Sequence, residues 1–187
     1  MKTPPRLTGI ERKLGADDLI VSKTDARGVI TYANRAFLKI ADYREDEVLG
    51  RPHNLIRHPD MPRAVFRLMW ETIPAGREVF AYVVNRTKGG DHYWVLAHVT
   101  PSYDAHGRVV GYHSNRRAPA RPAIDAIVPL YKKLLDIESR FENPKTAWQE
   151  STAALHDLLA SKSVGYDEFV FSLDPVAAEA AAAGAAS

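Results

Sequence analysis

Several features that often determine function are absent from this 187-residue sequence, and cysteine is the first of them. Without cysteine the chain forms no disulfide, no thiolate metal site and no cysteine nucleophile, and it has no photochemistry based on a cysteinyl adduct. Nowhere do about 18 apolar residues follow one another, so no membrane-spanning helix is predicted. The N-terminus also lacks the apolar stretch of a secretory signal, which predicts a cytoplasmic protein.

An excess of charge of one sign is also missing. Lysine and arginine number 25 against 23 acidic residues, and no long basic block occurs, so the sequence does not predict binding to nucleic acid or to a membrane surface. The densest basic cluster consists of Arg116, Arg117 and Arg121. These residues alternate with alanine and proline, which is typical of a solvated linker.

No catalytic signature is present either. The pair Gly89 and Gly90 lacks the flanking pattern of a phosphate-binding loop, and a hairpin turn explains it. Seven histidines occur, but none has the spacing of a metal site, so no metal is predicted. Because no nucleophile, base and orienting group can be nominated together, we expect a protein that is not an enzyme.

The first part of the chain predicts two strands and a set of short helices. The strands, at residues 19–22 and 29–32, flank a turn at Gly28. Asn34 follows at a place where a helix N-cap is expected. A longer helix is predicted to begin at Pro62 and to end near residues 74–76.

Strand patterns with a period of two follow, and they complete an α+β pattern. They predict three strands, at residues 79–86, 92–103 and 109–114, joined by tight turns. Consecutive hairpins imply a five-stranded antiparallel sheet with helices covering one face. A ligand pocket is then expected between the concave face of the sheet and the segment 50–62.

The segment 50–62 reads G-R-P-H-N-L-I-R-H-P-D-M-P and predicts a shaped loop. Its three prolines exclude a long helix or a central strand. The apolar residues Leu55, Ile56 and Met61 would anchor the loop to the core, and its turns would then aim Arg57, His58 and Asp60. A rigidly held polar loop favours a binding site. The alternative is a solvated turn in which an arginine and an aspartate form a local ion pair.

The chain divides into four parts by composition. Residues 1–16 form an N-terminal cap, in which one or two helical turns are expected at 8–14. Residues 17–118 form the sheet domain and residues 119–173 a helical extension. Residues 174–187 form an alanine-rich tail that is expected to be partly disordered.

In the extension, apolar residues recur at spacings of 3 and 4: Ile127, Leu130, Leu134, Ile137 and Phe141. This spacing fits either a coiled-coil seam between two chains or an amphipathic helix packed on its own sheet. Pro129 is expected to kink or begin that helix, and Asn143 to cap a further one.

Three segments together resemble PAS sensor domains. They read T-D-A-R-G-V-I-T-Y-A-N-R-A-F at 24–37, G-R-P-H-N-L-I-R-H-P-D-M-P at 50–62 and N-R-T-K-G-G-D-H-Y-W-V at 85–95. The resemblance covers roughly residues 17–120, and within the family the sequence is most similar to the PAS domains of bacterial aerotaxis receptors. It implies the PAS fold, non-covalent FAD, and a role in reporting redox, oxygen or energy status.

The resemblance also implies site residues. The arginine, histidine and aspartate that the family needs for flavin binding match Arg57, His58 and Asp60. The asparagines that open the first helix and line the pocket match Asn34 and Asn85. Trp70 matches a tryptophan of the long helix, and His53, from the loop motif, completes the predicted cofactor-binding set.

The sequence departs from the family at Val79, where aerotaxis receptors carry tryptophan. This leaves open whether FAD is retained, and it makes Phe80 and Tyr82 the candidates for the missing aromatic wall. The alternative is a haem-binding PAS domain, with a ligand among His53, His58, His98 and His113, or a cofactor-free interaction module. The family's membrane anchor and signalling region are not found, so a separate partner of chemoreceptor or kinase type is expected, together with a homodimer through the C-terminal helices.

Overall fold

One antiparallel sheet organises the computed structural model, which describes residues 6–174. Its five strands lie in the order β2-β1-β5-β4-β3. They are β1 (Ile20–Asp25), β2 (Ile30–Ala33), β3 (Val79–Arg86), β4 (His92–Tyr103) and β5 (Val109–Arg117). The predicted α+β fold with five antiparallel strands is confirmed.

The helices occupy the connection between β2 and β3 and the C-terminal third of the chain. The connection contains α1 (Arg35–Ala41), α2 (Glu45–Val48), a 3₁₀ helix (His53–Ile56), α3 (Arg63–Thr72) and a second 3₁₀ helix (Ile73–Ala75). The C-terminal helices are α4 (Arg121–Ser139), α5 (Pro144–Ser161) and α6 (Tyr166–Ser172). As predicted, no long helix crosses residues 50–62.

A tight turn between β1 and β2 returns the chain towards the start of α1. Gly28 adopts a φ of 79°, a left-handed conformation that costs a residue without Cβ little. Asp25 stabilises the turn because its Oδ1 accepts hydrogen bonds of 2.9 Å from the backbone N–H groups of both Arg27 and Val29. After β2, the side chain of Asn34 accepts a hydrogen bond from the N–H of Phe37, which confirms the predicted N-cap.

The two faces of the sheet contact different helices because side chains alternate along each strand. The inner face, which carries Val83 and Asn85, is turned towards α3. On the outer face, Trp94 stacks with Tyr131 of α4 at a ring-centroid distance of 6.2 Å, and Phe80 contacts Phe171 of α6 at 4.7 Å. Helices α4 and α6 therefore cover part of the outer face of the sheet.

The edge strand β3 is protected by these helices. The carboxylate of Asp167 in α6 accepts a hydrogen bond of 3.3 Å from the N–H of Phe80. The hydroxyl of Tyr131 in α4 donates to the carbonyl of Tyr82. Unpaired backbone groups on an edge strand invite association with other strands, so these contacts reduce that risk.

The first helix of the C-terminal extension starts earlier than the sequence suggested. Helix α4 begins at Arg121 and contains Pro129 in its interior, so the predicted start at that proline is wrong, while a kink there stays a prediction. Pro122 lies in the first turn, where its fixed φ favours a helix start. The prediction of a linker is also wrong at all three arginines, since Arg116 and Arg117 belong to β5 and Arg121 opens α4 with an ion pair of 2.6 Å to Glu11.

The apolar spacing along α4 serves packing within the chain. Ile127 and Leu134 are each 1% exposed and lie in the same core cluster as Val95 of the sheet. Of the two alternatives, the structure therefore favours the amphipathic helix packed on its own sheet. A homodimer through the C-terminal helices stays a prediction.

The N-terminal segment is extended rather than helical. Backbone hydrogen bonds join Thr8 to Gly90 and both Ile10 and Arg12 to His92. The helical turns expected at 8–14 are thus wrong, because the β3–β4 hairpin offers backbone partners that hold an extended chain. The predicted tail lies outside the described residues except for Asp174. Within residues 6–174, no helix has the length and apolar character needed to cross a membrane.

Candidate functional site

A cavity of about 390 Å³ lies between the inner face of the sheet and α3. Alternate strand residues form its floor: Ser22, Thr24, Val83, Asn85, Ala97, Val99, Tyr112, Ser114 and Arg116. The antiparallel register explains why these residues meet, since Ser22 and Val99 both pair with Ser114, and Ala97 pairs with Arg116. The walls come from the two 3₁₀ helices, α3 and α5.

Arg116 is the most unusual residue of the floor. Its side chain is buried, and the residue is only 5% exposed. Nη1 donates to the hydroxyl of Ser22 at 3.1 Å, and Nη2 donates to Nε2 of His53 at 2.8 Å. Within residues 6–174 no carboxylate lies within ion-pair distance of Arg116. Burial lowers the pKa of this guanidinium to about 10, so it is still charged at neutral pH.

His53 is neutral, and in this form it accepts the hydrogen bond from Arg116. Burial, and then the charge of Arg116, lower the pKa of His53 to about 3. Since Nε2 accepts the hydrogen bond from the guanidinium, the neutral ring carries its proton on Nδ1. The pair therefore presents a cation to the cavity without a neutralising anion.

Two further polar groups at the floor have no hydrogen-bond partner among residues 6–174. They are Nδ2 of Asn85, a residue that is 4% exposed, and the hydroxyl of Ser114, which is 5% exposed. Leaving a buried polar atom unpaired costs about 1–3 kcal/mol, so such atoms usually indicate a missing ligand or water. Together with Arg116 they form an amide, a hydroxyl and a guanidinium that can bind one polar ligand edge.

Arg57 supplies a second cation at the wall. Its Nη2 donates to the carbonyl of Met61 at 3.1 Å, and its guanidinium lies 4.2 Å from the centre of the Phe66 ring. Burial lowers the pKa of Arg57. The alternative of a local ion pair with Asp60 is not observed, because the carboxylate of Asp60 instead lies 3.6 Å from Nδ1 of His58.

The structure brings together four of the seven predicted site residues. His53, Arg57, Trp70 and Asn85 line the cavity. A backbone bridge between Arg57 and Asn85 ties the loop to the edge strand β3, which fixes their relative position. Trp70 lies edge-on to Tyr112, at a centroid distance of 5.6 Å and an angle of 83°.

The other three predicted residues lie outside the cavity lining and have local structural partners. The amide of Asn34 accepts from the N–H of Val21 and donates to the carbonyl of Leu19, which ties α1 to β1. Nδ1 of the buried His58 accepts a hydrogen bond of 3.2 Å from the N–H of Asp60, so these two residues shape the turn. Burial lowers the pKa of His58. A part for these three residues in cofactor binding stays a prediction.

Sequence reasoning missed several lining residues. Arg116 escaped notice because the predicted last strand ended at 114, whereas β5 continues to Arg117. Ser114 lay within the predicted strand but was not singled out as a site residue. The period-two alternation from Tyr112 through Ser114 to Arg116 was the signal that placed all three on one face. Trp148 of α5 carried no such signal, since only the packing of α5 against α3 brings it to the cavity.

With this geometry in hand, the chain can be compared with known proteins. Residues 30–116 match the family model of the PAS fold. This chain contains a PAS domain. The solved structure of the blue-light photoreceptor Aureochrome1 LOV in its light state is similar, with a TM-score of 0.51 and 26% identity over 63% of this chain and 91% of that chain.

Two curated relatives extend the comparison. The aerotaxis receptor of Escherichia coli strain K12 is 41% identical over 134 residues, which are 72% of this chain and 26% of that receptor. A blue-light-activated histidine kinase of Brucella abortus strain 2308 is 31% identical over 87 residues, 46% of this chain and 18% of the kinase. The chain thus spans about a quarter of the length of the first relative and less of the second.

The aromatic wall of this PAS domain differs from the one expected. Val79 shares the inward face of β3 with Val83 and Asn85, but it does not line the cavity itself. It packs against Ile73, Val99 and Tyr112, which do. Phe80 and Tyr82 are wrong candidates because they lie on the opposite face, where Phe80 stacks on His98 at 4.2 Å. The aromatic residues that line the cavity are Phe66, Trp70, Tyr112 and Trp148.

Proposed function

We propose that this PAS domain binds FAD in the cavity and acts as a sensor of redox, oxygen or energy status. The proposal rests on the polar side chains at the floor of the cavity, whose charge and hydrogen-bonding groups are not fully satisfied within the protein. In the part of the chain that the structure describes, Arg116 is a buried cation without a counter-ion, and Nδ2 of Asn85 and Oγ of Ser114 are buried without hydrogen-bond partners. A ligand with a polar, partly anionic edge would satisfy all three.

The shape and chemistry of the cavity fit a flavin. Apolar side chains, among them Met69, Val83 and Val99, lie beside the polar groups of the cavity, as a flat ring with one polar edge requires. In the proposed complex, the amide of Asn85 and the hydroxyl of Ser114 hold the ring edge, and Arg116 supports negative charge there. Phe66 and Tyr112 exclude water from the ring. A bound flavin supplies a ring that accepts and returns electrons, which changes its charge and its hydrogen-bonding groups.

The haem alternative receives less support from the site. Of the four candidate ligands, only His53 lines the cavity. Its Nε2 already accepts the hydrogen bond from Arg116. His98 bonds to Glu78 on the outer side of the sheet, and His113 bonds to Asn115 there.

We propose that the signal leaves through α3 and the C-terminal helices. Helix α3 lines the cavity with Phe66, Met69 and Trp70. At its N-terminus the carboxylate of Glu138 in α4 accepts hydrogen bonds from the N–H groups of Arg63, at 2.7 Å, and Ala64, at 3.2 Å. A shift of α3 would therefore act directly on α4 through these hydrogen bonds.

The biological setting is proposed by analogy with the relatives. An aerotaxis receptor and a histidine kinase each contain a segment similar to this chain, so we propose a partner of chemoreceptor or kinase type in the cytoplasm. We propose a sensory role without catalysis, since the cavity groups described above bind and orient and none forms a nucleophile and base pair.

The experiment is an absorption spectrum of the purified full chain. Bands at about 450 nm indicate flavin, and a band at about 400 nm indicates haem. Extraction and chromatography then tell FAD from FMN. A protein that stays colourless after incubation with each flavin and with haem would leave the cofactor-free module as the better account.

The residue-level test is Arg57→Ala together with Arg57→Lys. Each charge-assisted hydrogen bond contributes about 1.5–3 kcal/mol, so the alanine variant should lose roughly one to two decades in flavin affinity. The lysine variant should lose part of the flavin affinity, because an ammonium group cannot reproduce the planar, two-pronged hydrogen bonding of a guanidinium. The exposed Arg51, changed to alanine, is the matched control and should bind like the wild type.

A further inference from the structure

The C-terminal extension contributes to the cavity itself. Trp148 of α5 lines the mouth, and the guanidinium of Arg67 in α3 lies 4.5 Å from the centre of its ring. Within residues 6–174 it is the only residue beyond β5 that lines the cavity. An indole carried by a separate helix is thus part of a binding site otherwise built from the sheet, the loop and α3.

The rotation of α5 that presents Trp148 is fixed by its neighbours on the helix. Ala147 is 3% exposed and Ser151 is fully buried. The hydroxyl of Ser151 donates to Oε1 of Glu138 at 2.9 Å, and Glu138 in turn binds the N-terminus of α3. Trp148 is therefore held over the mouth by buried contacts rather than resting there as a free surface side chain.

The mouth is cationic, in contrast to the apolar middle of the cavity. Arg27, Arg63 and Arg67 line it, and among the described residues no aspartate or glutamate does. Each of the three also has an acidic partner that does not line the cavity, with closest contacts of 3.4 Å for Arg27, 3.9 Å for Arg63 and 2.6 Å for Arg67. Cations concentrated at the mouth suit a phosphate-bearing ligand whose ring lies at the floor.

Two indole side chains lie next to these cations, and they differ in how far their rings are already engaged in contacts within the protein. Trp70 is already engaged edge-on with Tyr112, and it packs so closely on the β1–β2 turn that a Cβ on Gly28 would lie 3.1 Å from its ring. Trp148 is only partly buried and has Arg67 as its ring partner. A flat base could stack on Trp148, or replace Arg67 in that stack and leave the guanidinium to the phosphates.

We infer that Trp148 is a specificity-determining residue that stacks on the adenine of a flavin dinucleotide, so that α5 selects FAD over FMN. The inference rests on the proposed flavin site and deepens it. In this arrangement the ring edge lies at Asn85 and Ser114, the diphosphate at the arginines of the mouth, and the adenine against α5. The extension would thereby sense which ligand occupies the cavity.

The test compares FAD and FMN binding to the full chain after removal of bound flavin. For the wild type, FAD is expected to bind more tightly than FMN. Trp148→Ala should weaken FAD binding by roughly tenfold, which lies within the range for loss of one base–aromatic stack, and should change FMN binding less than about twofold. Trp148→Phe should keep most of the preference for FAD. The neighbouring exposed Gln149, changed to alanine, should behave as the wild type.

Each other result overturns the inference. Equal losses for FAD and FMN would make Trp148 a general lid, and unchanged binding of both would leave it outside the ligand site. A wild type that binds FMN as tightly as FAD would contradict the inference but keep the flavin site. A wild type that binds neither would refute both. If Trp148→Ala fails to fold, Trp148→Leu gives the same comparison with the apolar volume retained.

Discussion

The guanidinium of Arg116 donates a hydrogen bond of 2.8 Å to Nε2 of a neutral His53 at the floor of the cavity. A buried arginine is usually balanced by a carboxylate, because an unpaired charge in a low-dielectric interior is costly. Here the partners are an imidazole and the hydroxyl of Ser22. The fold therefore retains a charge that it does not itself neutralise, as a site prepared for an anionic ligand group requires.

The first prediction is that Arg116→Met separates stability from ligand binding. Removing an uncompensated buried charge should leave the melting temperature of the flavin-free protein unchanged or raise it. The loss of charge-assisted hydrogen bonds should lower flavin affinity by roughly 10- to 100-fold. Thermal unfolding and flavin titration measure the two effects.

Arg117→Met is the matched control for this change. Arg117 is the next residue of β5, but its side chain is exposed and alternation points it to the opposite face. It should keep wild-type flavin affinity. If Arg116→Met lowers the melting temperature of the flavin-free protein by several degrees, Arg116 stabilises the fold. The interpretation of Arg116 as a charge held ready for an anionic ligand would then be wrong.

The second prediction concerns acid stability. The pKa of His53 is about 3 in the folded protein, below the value of about 6.5 expected for the unfolded chain. Between these values the unfolded state binds more protons, so stability is present above about pH 6.5 and is lost as the pH falls towards 3. Because His53 is only partly buried, the loss should be at most on the order of 4 kcal/mol.

Urea unfolding of the flavin-free protein at a series of pH values measures this loss. His53→Gln should flatten the dependence of the free energy of unfolding on pH between 6.5 and 4. His106→Gln, at an exposed histidine in the β4–β5 turn, should keep the wild-type slope. Identical slopes for wild type and His53→Gln would show that His53 titrates normally.

The third prediction concerns Glu138, which joins three helices. Its Oε1 accepts from Arg63 N, Ala64 N and Ser151 Oγ, so one buried carboxylate links α4 to the N-terminus of α3 and to α5. A negative charge is favourable at a helix N-terminus. Glu138→Ala should therefore lower the free energy of unfolding by about 2–4 kcal/mol, and Glu138→Gln by less, since the amide oxygen still accepts hydrogen bonds.

The control for Glu138 is Glu142→Ala, at an exposed position just after α4. It should change the free energy of unfolding by less than about 0.5 kcal/mol. Denaturant titration followed by circular dichroism makes the comparison. A loss for Glu138→Ala no larger than that for Glu142→Ala would show that the carboxylate does not hold the helices together.

Local patterns predicted most of the fold, and the reason is physical. The turn at Gly28, the cap at Asn34 and the alternation in β3 and β4 depend on residues close in sequence, so their chemistry can be seen without the structure. The start of α4 was missed because Pro129 was treated as a helix breaker, whereas the intact packing of Ile127 and Leu134 on both sides of it maintains the helix.

The candidate site was predicted only in part, because it depends on contacts between distant residues. The loop motif indicated His53 and Arg57, and both line the cavity. Arg116 was assigned to a linker because its neighbours in sequence are arginine, alanine and proline, while its burial results from pairing of β5 with β1 and β4. Trp148 reaches the cavity through helix packing alone, which no local pattern encodes.

The last prediction tests how the spacing along α4 is used. Leu134 is 1% exposed within its own chain, so Leu134→Ala should leave a cavity in the core and lower the free energy of unfolding by about 2–5 kcal/mol. The molar mass measured by light scattering should be the same as for the wild type, whether that is a monomer or a dimer. The adjacent Lys133 is exposed, and Lys133→Ala should alter neither quantity. A variant that keeps its stability but changes from dimer to monomer would instead place Leu134 in a seam between two chains. That result would require α4 to leave the sheet, and with it the contacts of Tyr131 at the edge strand β3 and of Glu138 at α3 would be lost in the dimer.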